Sequence, residues 1–437
     1  MNRTPEVAII GGGWAGLAAA VELCAAGARV VVFEAAKQLG GRARRVDVHG
    51  HALDNGQHIL IGAYRETLRL MRLVGADEDA SLKRLPLELN YPGANFRLRL
   101  PRLPKPLHLA VGLLSARGCS LGAKFSAARF MQALQASDFA LTTDCTVAEL
   151  LDRHNQRGAI RRLMWEPLCL AALNTPPEHA SAQIFANVLR DSLGGSRADT
   201  DLLLPTVDLG LLFPEHAARF IERHGGSIRL STRVESVTRS RADTHLCING
   251  ESFAHVIVAT APQHAARLLQ PHPETETIVR TLADYCYEPI GTVYLGYPSE
   301  VRLPFPMLGM DEGKPGQFGQ WVFDRGQLGG AHGVMGFVLS AEGTWDECDN
   351  AVLADALHRE LQTMLGRSLP PPHWHQVIRE RRATFSCRPN LPRPPRRTPV
   401  GELWLAGDYV CADYPATLEG AVRSGIQTAC EVLKATS

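Results

Sequence analysis

The chain has 437 residues, 46 basic and 45 acidic side chains, and 45% apolar residues. That length is enough for two or three domains with sizeable cores, and the balanced charge gives no argument for a nucleic-acid partner. Ten cysteines without C-x-x-C spacing suggest reduced thiols in a cytoplasmic protein, and the i, i+2 pairs His49/His51 and His373/His375 lack the companions of a metal centre.

An apolar run over 7–10 opens the chain, so no signal peptide is expected before it. Gly11, Gly13 and Gly16 follow in a G-x-G-x-x-G pattern. Residues 17–23 then read as helix, and a second apolar run, 29–33, ends in Glu34. Strand, glycine turn, helix, strand and terminal acid is the order of a dinucleotide-binding unit. Gly11 permits the tight turn, Gly13 lets the backbone approach a pyrophosphate, and Gly16 lets helix and strand pack closely. Trp14 and Ala15 lie between these glycines and are counted with them as cofactor-binding. The helix start supplies N–H groups and a positive dipole end. Glu34, eighteen residues beyond Gly16, is placed to accept hydrogen bonds from ribose hydroxyls.

Beyond Gly40-Gly41-Arg42 the chain continues through 46–48, a turn at Gly50, and Asp54-Asn55-Gly56-Gln57-His58. Residues 66–74 form an amphipathic helix. Stretches 87–91 and 96–100 alternate around Pro92-Gly93-Ala94-Asn95, a hairpin signal that opens a second domain. Residues 102–195 are mainly helical, with candidate helices at 124–140, 146–153 and 160–172. Residues 202–205 lead back to a helix over 211–224 that stops at Gly225-Gly226. Strands are expected at 227–230, 233–238 and 255–259. Strands at 293–297, 318–323 and 334–339, a helix over 349–365 and a strand over 375–381 follow. A Pro/Arg-rich connector, 389–399, precedes the last strand, 403–406, then Gly407-Asp408 and a closing helix over 419–433. The pattern predicts an α/β fold with a discontinuous nucleotide-binding domain of residues 1–85, 200–275 and 390–437. Residues 86–199 and 276–389 form a mixed α+β substrate domain. No uncharged apolar run reaches ~18 residues, so no transmembrane helix is expected.

The E-x5-GGR arrangement of Glu34 and Gly40-Gly41-Arg42 resembles the FAD-dependent superfamily of amine oxidases and phytoene desaturases. The resemblance implies FAD as cofactor, held in a two-domain, Rossmann-like fold with the flavin between the domains. It implies that Gly41 and Arg42 approach the diphosphate, where an arginine can pair with phosphate oxygens in a bidentate way. It brings Val234 to the adenine through its backbone, and Gly56 and Gln57 beside the isoalloxazine. Gly407-Asp408 falls at the ribityl-phosphate end, and the helix opened by Leu418 and Glu419 aims its N-terminus at the flavin N1/O2 edge. Asp408-Tyr409-Val410 departs from the aromatic continuation usual in that superfamily.

Three further motifs are more specific: D-N-G-Q-H at 54–58, W-E-P-L-C-L-A-A-L-N-T-P at 165–176, and Y-P-A-T-L-E-G-A at 414–421. They resemble the hydroxysqualene dehydroxylase family, FAD-dependent enzymes of bacterial hopanoid synthesis. The resemblance implies conversion of hydroxysqualene and reduced FAD to squalene, oxidised FAD and water. An allylic hydroxyl leaves poorly, so a general acid must protonate it while flavin N5 supplies hydride. Asp54, His58 and Glu166 are the candidate acids, and Tyr414 a candidate pocket residue. The alternatives are a phytoene- or carotenoid-type desaturase and, in another class, a non-catalytic lipid carrier on the same fold. No second glycine fingerprint marks an NAD(P)H domain, which leaves the electron donor unassigned. A C30 hydrocarbon comes from a membrane. Residues 102–134 mix Arg102, Lys105, Arg117, Lys124 and Arg129 with Leu107, Leu109, Val111, Leu113, Leu114, Phe125 and Phe130, and carry no acid. That composition predicts a basic amphipathic surface and a peripheral position on the inner membrane face.

Overall fold

In the computed structural model, which describes residues 6–239, 245–310 and 317–436, a five-stranded parallel sheet draws on segments far apart in sequence. Its order is Ser227–Arg229, Arg29–Phe33, Glu6–Ile10, His255–Val258, Leu403–Leu405. Val7 lies between Val30 and His255, and Ile10 between Phe33 and Val258. The strands are continuously apolar because both faces are covered. Val7, Ile9, Val30, Val32 and Ile257 pack with the helices Trp14–Ala25 and Leu418–Thr436. Ala8, Ile10, Val31, Phe33, Val256 and Val258 face the other way, against Val237, Leu246 and Phe253. Trp14–Ala25 is apolar nearly all round because it is enclosed between the sheet and the C-terminal helix.

A second five-stranded sheet is antiparallel, in the order Met307–Gly309, Trp321–Asp324, Val334–Ser340, Tyr287–Gly296, Trp374–Phe385. The helix Asn350–Leu365, capped by Asp349 accepting from Ala351 N at 2.8 Å, packs Leu353, Leu357 and Leu361 against Val293, Leu295 and Phe337. Between the hairpin Glu88–Tyr91/Phe96–Arg99 and Leu202–Pro205 the chain is helical, with helices at Leu107–Ser115, Leu121–Ala136, Val147–Arg153, Glu166–Leu173 and Ala182–Ser192.

Several sequence expectations are corrected. Residues 233–237 are not a strand. Ser231 N donates to the Ala36 carbonyl at 2.9 Å and Thr232 N to the Glu34 carbonyl at 2.8 Å, which turns the chain across the end of the edge strand, and pairing resumes only at Thr238–Arg239. The helix expected over 211–224 is broken. A short turn, Leu209–Leu212, is capped by Asp208, and Pro214, which lacks an N–H, restarts the helix as Pro214–Arg223. The helix expected from Lys124 begins at Leu121, capped by Ser120, and ends at Ala136. Lys124 is not part of a solvated basic face: it is buried, and its Nζ donates to the Leu114 carbonyl at 2.7 Å. The strand expected from Phe318 starts at Trp321, because the Phe318 and Gly319 N–H groups are taken by the Glu360 carboxylate.

Candidate active site

The first strand ends at Gly11, whose φ of +112° would strain any other residue and whose Cβ, were there one, would lie 2.7 Å from the Ala259 carbonyl oxygen. Gly13 is the N-cap of Trp14–Ala25 and provides no capping side chain. The first helical N–H groups, including those of Trp14, Ala15 and Gly16, therefore have no intrahelical acceptor. The Trp14 side chain turns into the core, packing on Phe213 in a tilted arrangement at 5.1 Å and donating Nε1 to the Ala43 carbonyl, so Trp14 serves the loop only through its backbone. Gly40 N donates to the Gly12 carbonyl at 2.9 Å, and a Cβ on Gly41 would lie 3.2 Å from Gly13 Cα. Two glycine loops thus abut with no side chain between them. Glu34 ties this corner: its carboxylate accepts from Gly12 N and Ala36 N, both at 2.7 Å.

Arg42 reaches across the fold. Its Nη2 donates to Asp408 Oδ2 at 2.7 Å and its Nη1 to the Ala383 carbonyl at 2.7 Å. One guanidinium therefore joins the N-terminal glycine corner, the turn after the last parallel strand, and the longest strand of the second sheet. Asp408 is buried and also accepts from Tyr409 N at 3.0 Å. Val234 is buried on the irregular segment that Thr232 pins beside Glu34.

The 54–58 segment follows the strand His51–Asp54 and is held from three sides. Asn55 Nδ2 donates to the Arg42 carbonyl at 2.5 Å and its Oδ1 accepts from Arg44 N at 3.2 Å, which fixes the backbone that carries Arg42. Asp54 Oδ1 accepts from Leu209 N at 2.8 Å, and its main-chain carbonyl accepts from the Tyr294 hydroxyl at 2.8 Å. Gln57 donates to the same hydroxyl at 2.6 Å and accepts from Arg325 Nη1 at 3.2 Å. Burial raises the Asp54 carboxyl to about 6, against the opposing pull of the Leu209 N–H and of Arg325. His58 Nδ1 lies 2.8 Å from the Gly56 carbonyl, so Nδ1 carries the proton, and burial lowers the imidazole's pKa.

Buried polar atoms without partners mark the same region: Thr260 Oγ1, next to the residue that crowds Gly11; Thr292 Oγ1, which faces Gly56; and the Tyr409 hydroxyl, behind Asp408. Orphaned hydroxyls near Gly11, Gly56 and Gly407 fit a polar ligand that spans these positions.

A family model of flavin containing amine oxidoreductases matches residues 14–433. The chain belongs to that family. It is 28% identical to a hydroxysqualene dehydroxylase of Rhodopseudomonas palustris, over 100% of this chain and 99% of the relative, and 26% identical to one of Sinorhizobium fredii over 99% of both. It is 24% identical to a 15-cis-phytoene desaturase of an Oncidium hybrid, over 96% of this chain and 76% of that protein. Among solved structures it is similar to putrescine oxidase (TM-score 0.72, 18% identity, 98% of this chain and 99% of that one) and to cyclohexylamine oxidase of Brevibacterium oxydans (TM-score 0.70, 18%, 99% and 100%). The protein is an FAD-dependent oxidoreductase with the two-domain α/β fold of this family.

In this flavin-containing oxidoreductase the side chains of two expected site residues, Glu419 and Glu166, are engaged in contacts of their own. Glu419 is fully buried, and its carboxylate accepts from Thr67 N (2.9 Å), Thr67 Oγ1 (2.7 Å), Glu66 N (3.2 Å) and Arg423 Nε (2.8 Å). Its side chain caps the helix Arg65–Leu73, and only its backbone, with that of Leu418, belongs to the helix start. Glu166 accepts from Arg161 Nε at 2.7 Å, and Arg161 also holds Asp152. The end of the 165–176 motif docks instead on the second sheet: Asn174 donates to Thr384 Oγ1 at 3.0 Å and accepts from Ala341 N at 2.9 Å. Tyr414 is buried under the Arg423 guanidinium, 4.2 Å from its ring.

Thr292, Tyr294 and Arg325 were not singled out in the sequence, and Asn55 was read only as a member of the 54–58 motif, with no role of its own. Tyr294 and Thr292 lie within the mixed strand Tyr287–Gly296, where nothing local marks them. Arg325 did carry a signal, as a charge directly after the buried run Trp321–Asp324. His49 and His51 stack on Trp374 at 4.9 and 5.7 Å. Among the described residues no cluster of His, Cys, Asp or Glu could hold a metal, and no helix is long and apolar enough to cross a membrane.

Proposed function

We propose that this oxidoreductase removes the hydroxyl of hydroxysqualene to give squalene. The observation that carries the reading is end-to-end similarity to hydroxysqualene dehydroxylases at 26–28% identity; the phytoene desaturases among its relatives are less similar, at 22–24%. In this reaction the carbon–oxygen bond breaks, oxygen leaves as water with a proton from an acid, and the carbon takes a hydride. Reduced FAD supplies the hydride.

The chain's own residues would hold the cofactor as follows. Backbone N–H groups at the start of Trp14–Ala25, with Gly11, Gly13, Gly16, Gly41 and Arg42, would bind the diphosphate, because aligned N–H dipoles and a guanidinium both favour anionic oxygens. Glu34 has lone pairs beyond the two it shares with Gly12 N and Ala36 N, and these would accept ribose hydroxyls. Val234 would line the adenine. Asp408 would take the ribityl end, while Gly407 and the N-terminus of the helix from Leu418 would face the flavin edge. Gly56 and Gln57 would lie along the ring.

For the proton, His58 is the best-supported donor. Its Nδ1–H is committed to the Gly56 carbonyl, which leaves Nε2 to exchange a proton with substrate or solvent. Asp54, bound to Leu209 N and Tyr294, acts as a positioning residue. Glu166, neutralised by Arg161, supports a structural role.

Anaerobic mixing of the reduced holoprotein with hydroxysqualene tests the reading. Reoxidation of the flavin with stoichiometric squalene is the expected result. No squalene, together with desaturation of phytoene by the oxidised protein, would overturn it in favour of a desaturase.

A further inference from the structure

The helix Leu107–Ser115 is inverted relative to an ordinary surface helix. Its buried positions are His108 and Gly112, while Leu107, Ala110, Val111 and Leu114, at i, i+3, i+4 and i+7, face out. Leu107 is 51% exposed, Val111 40% and Leu114 55%. The next helix, Leu121–Ala136, continues the pattern with Leu121 at 66% and Phe125 at 61%. Lys124 Nζ, bonded to the Leu114 carbonyl, ties the two helices together, so the outward residues form one patch. Five of the nine exposed large apolar side chains among the described residues fall within 107–125, and this concentration separates the patch from the scattered apolar exposure of any soluble surface.

The charges around the patch have one sign. Arg102, Arg117 and Arg129 are exposed beside it, and residues 102–134 contain no aspartate or glutamate. Lys105 is exposed too, although its ammonium donates to the Gly194 carbonyl. Beside Phe125 and Arg129 a groove of ≈ 380 Å³ opens toward Arg153 and His154. Two acids on that side are already paired, Glu149 with Arg153 and Asp152 with Arg161.

We infer that this two-helix face docks on an anionic phospholipid surface, with Leu107, Val111, Leu114, Leu121 and Phe125 entering the headgroup–acyl boundary and Arg102, Arg117 and Arg129 meeting lipid phosphates. Apolar side chains at helical spacing ringed by unopposed arginines are what an interfacial helix pair presents to an anionic bilayer. A second copy of this chain is the poorer occupant, because docking the face on itself would oppose arginine to arginine. The inference rests on this surface and is independent of which substrate the flavin reduces.

The test is co-sedimentation of the flavin-loaded protein with vesicles of phosphatidylcholine alone or with one quarter phosphatidylglycerol, over a salt series. Expected are preferential binding to the anionic vesicles that weakens with salt, and at least tenfold weaker binding of the double variant Leu114→Glu/Phe125→Glu. Arg102→Gln, Arg117→Gln and Arg129→Gln should each cost about fivefold on anionic vesicles. These positions are exposed, so an unchanged flavin spectrum verifies folding. Equal binding of wild type and the double variant would overturn the inference. So would a salt-independent partition, or a dimer in sedimentation velocity that the double variant dissociates without any vesicle binding.

Discussion

Replacing Glu419 by alanine should weaken the fold and spare the flavin's spectrum. The helix Arg65–Leu73 begins at Tyr64, which offers no capping side chain, and its Glu66 and Thr67 N–H groups are satisfied by a carboxylate 352 or more residues away. Thr67 is 1% exposed, so water cannot replace that carboxylate. Removing one partner of a buried, hydrogen-bonded charge pair costs roughly 3–5 kcal/mol. Arg423 retains Asp191 at 3.4 Å and the Tyr414 ring, which keeps the loss within that range. With an unfolding entropy near ~2.1 cal/mol/K per residue, a chain of this size should melt about 3–6 °C lower. Glu419→Gln, which keeps one acceptor but turns an NH2 toward backbone donors, should fall between. Thermal unfolding by circular dichroism, read beside the visible spectrum at low temperature, makes the measurement. A Glu419→Ala protein that melts like wild type but purifies colourless would refute the reasoning and make the side chain a cofactor ligand.

Glu34→Ala removes the acceptor of Gly12 N and Ala36 N as well as the proposed ribose contact. At roughly 1.5–3 kcal/mol for a charge-assisted bond, the flavin-to-protein ratio after dialysis should fall about tenfold or more; an unchanged ratio would remove Glu34 from the site. Asp408→Asn breaks the charge pair with Arg42 and should weaken flavin retention, as should Arg42→Ala, and because the two act through one contact the double variant should lose little more than either single one. His58→Ala should slow single-turnover oxidation of reduced flavin by hydroxysqualene by ~10²–10⁴-fold, whereas Asp54→Asn, which preserves an acceptor for Leu209 N, should slow it far less. A donor whose pKa burial has lowered below 6.5 is protonated only in acid, so the wild-type rate should climb as pH falls below that value. That limb should vanish in His58→Ala and persist in Asp54→Asn. Persistence in His58→Ala with loss in Asp54→Asn would transfer the role to Asp54, whose carboxyl stands at about 6.

Much of the parallel sheet was legible because its signals are local. Apolar runs of four or five residues, a glycine turn and a terminal acid are each complete within a few positions, and the strands Glu6–Ile10, Arg29–Phe33, His255–Val258 and Leu403–Leu405 lie within a residue of expectation. Residues 233–238 misled because Val234, Val237 and Thr238 give them the β-branched character of a strand. What decides their path is two backbone bonds to the Ala36 and Glu34 carbonyls, which no pattern within the segment encodes. Lys124 misled for the opposite reason. Its charge reads as solvated, yet a long apolar stem lets the ammonium reach the end of the preceding helix from a buried position.

The site itself divides along the same line. Glycine loops and the acid after the second strand could be read directly, since their chemistry lies in backbone shape and one side chain. The 54–58 element could be recognised but not explained, because what holds it comes from elsewhere: Leu209 N on one side, Tyr294 and Arg325 on the other. Asn55 makes that element continuous with Arg42, and Arg42 with Asp408 and Ala383. A displacement of the second sheet would therefore be felt at Gln57 through Tyr294 and at Arg42 through Ala383, the two points proposed to face the cofactor's ring and its diphosphate. Arg325 is buried with its Nε unpartnered, and its one side-chain hydrogen bond in this network is to Gln57. A buried guanidinium so lightly held draws a neighbouring carboxylate toward its ionised form. Asp54 is that carboxylate, and its burial, set against the Leu209 N–H together with Arg325, explains why its pKa is raised only to about 6. At His58 burial is joined instead by the opposing charge of Arg42, and together they lower the imidazole's pKa and favour its neutral form.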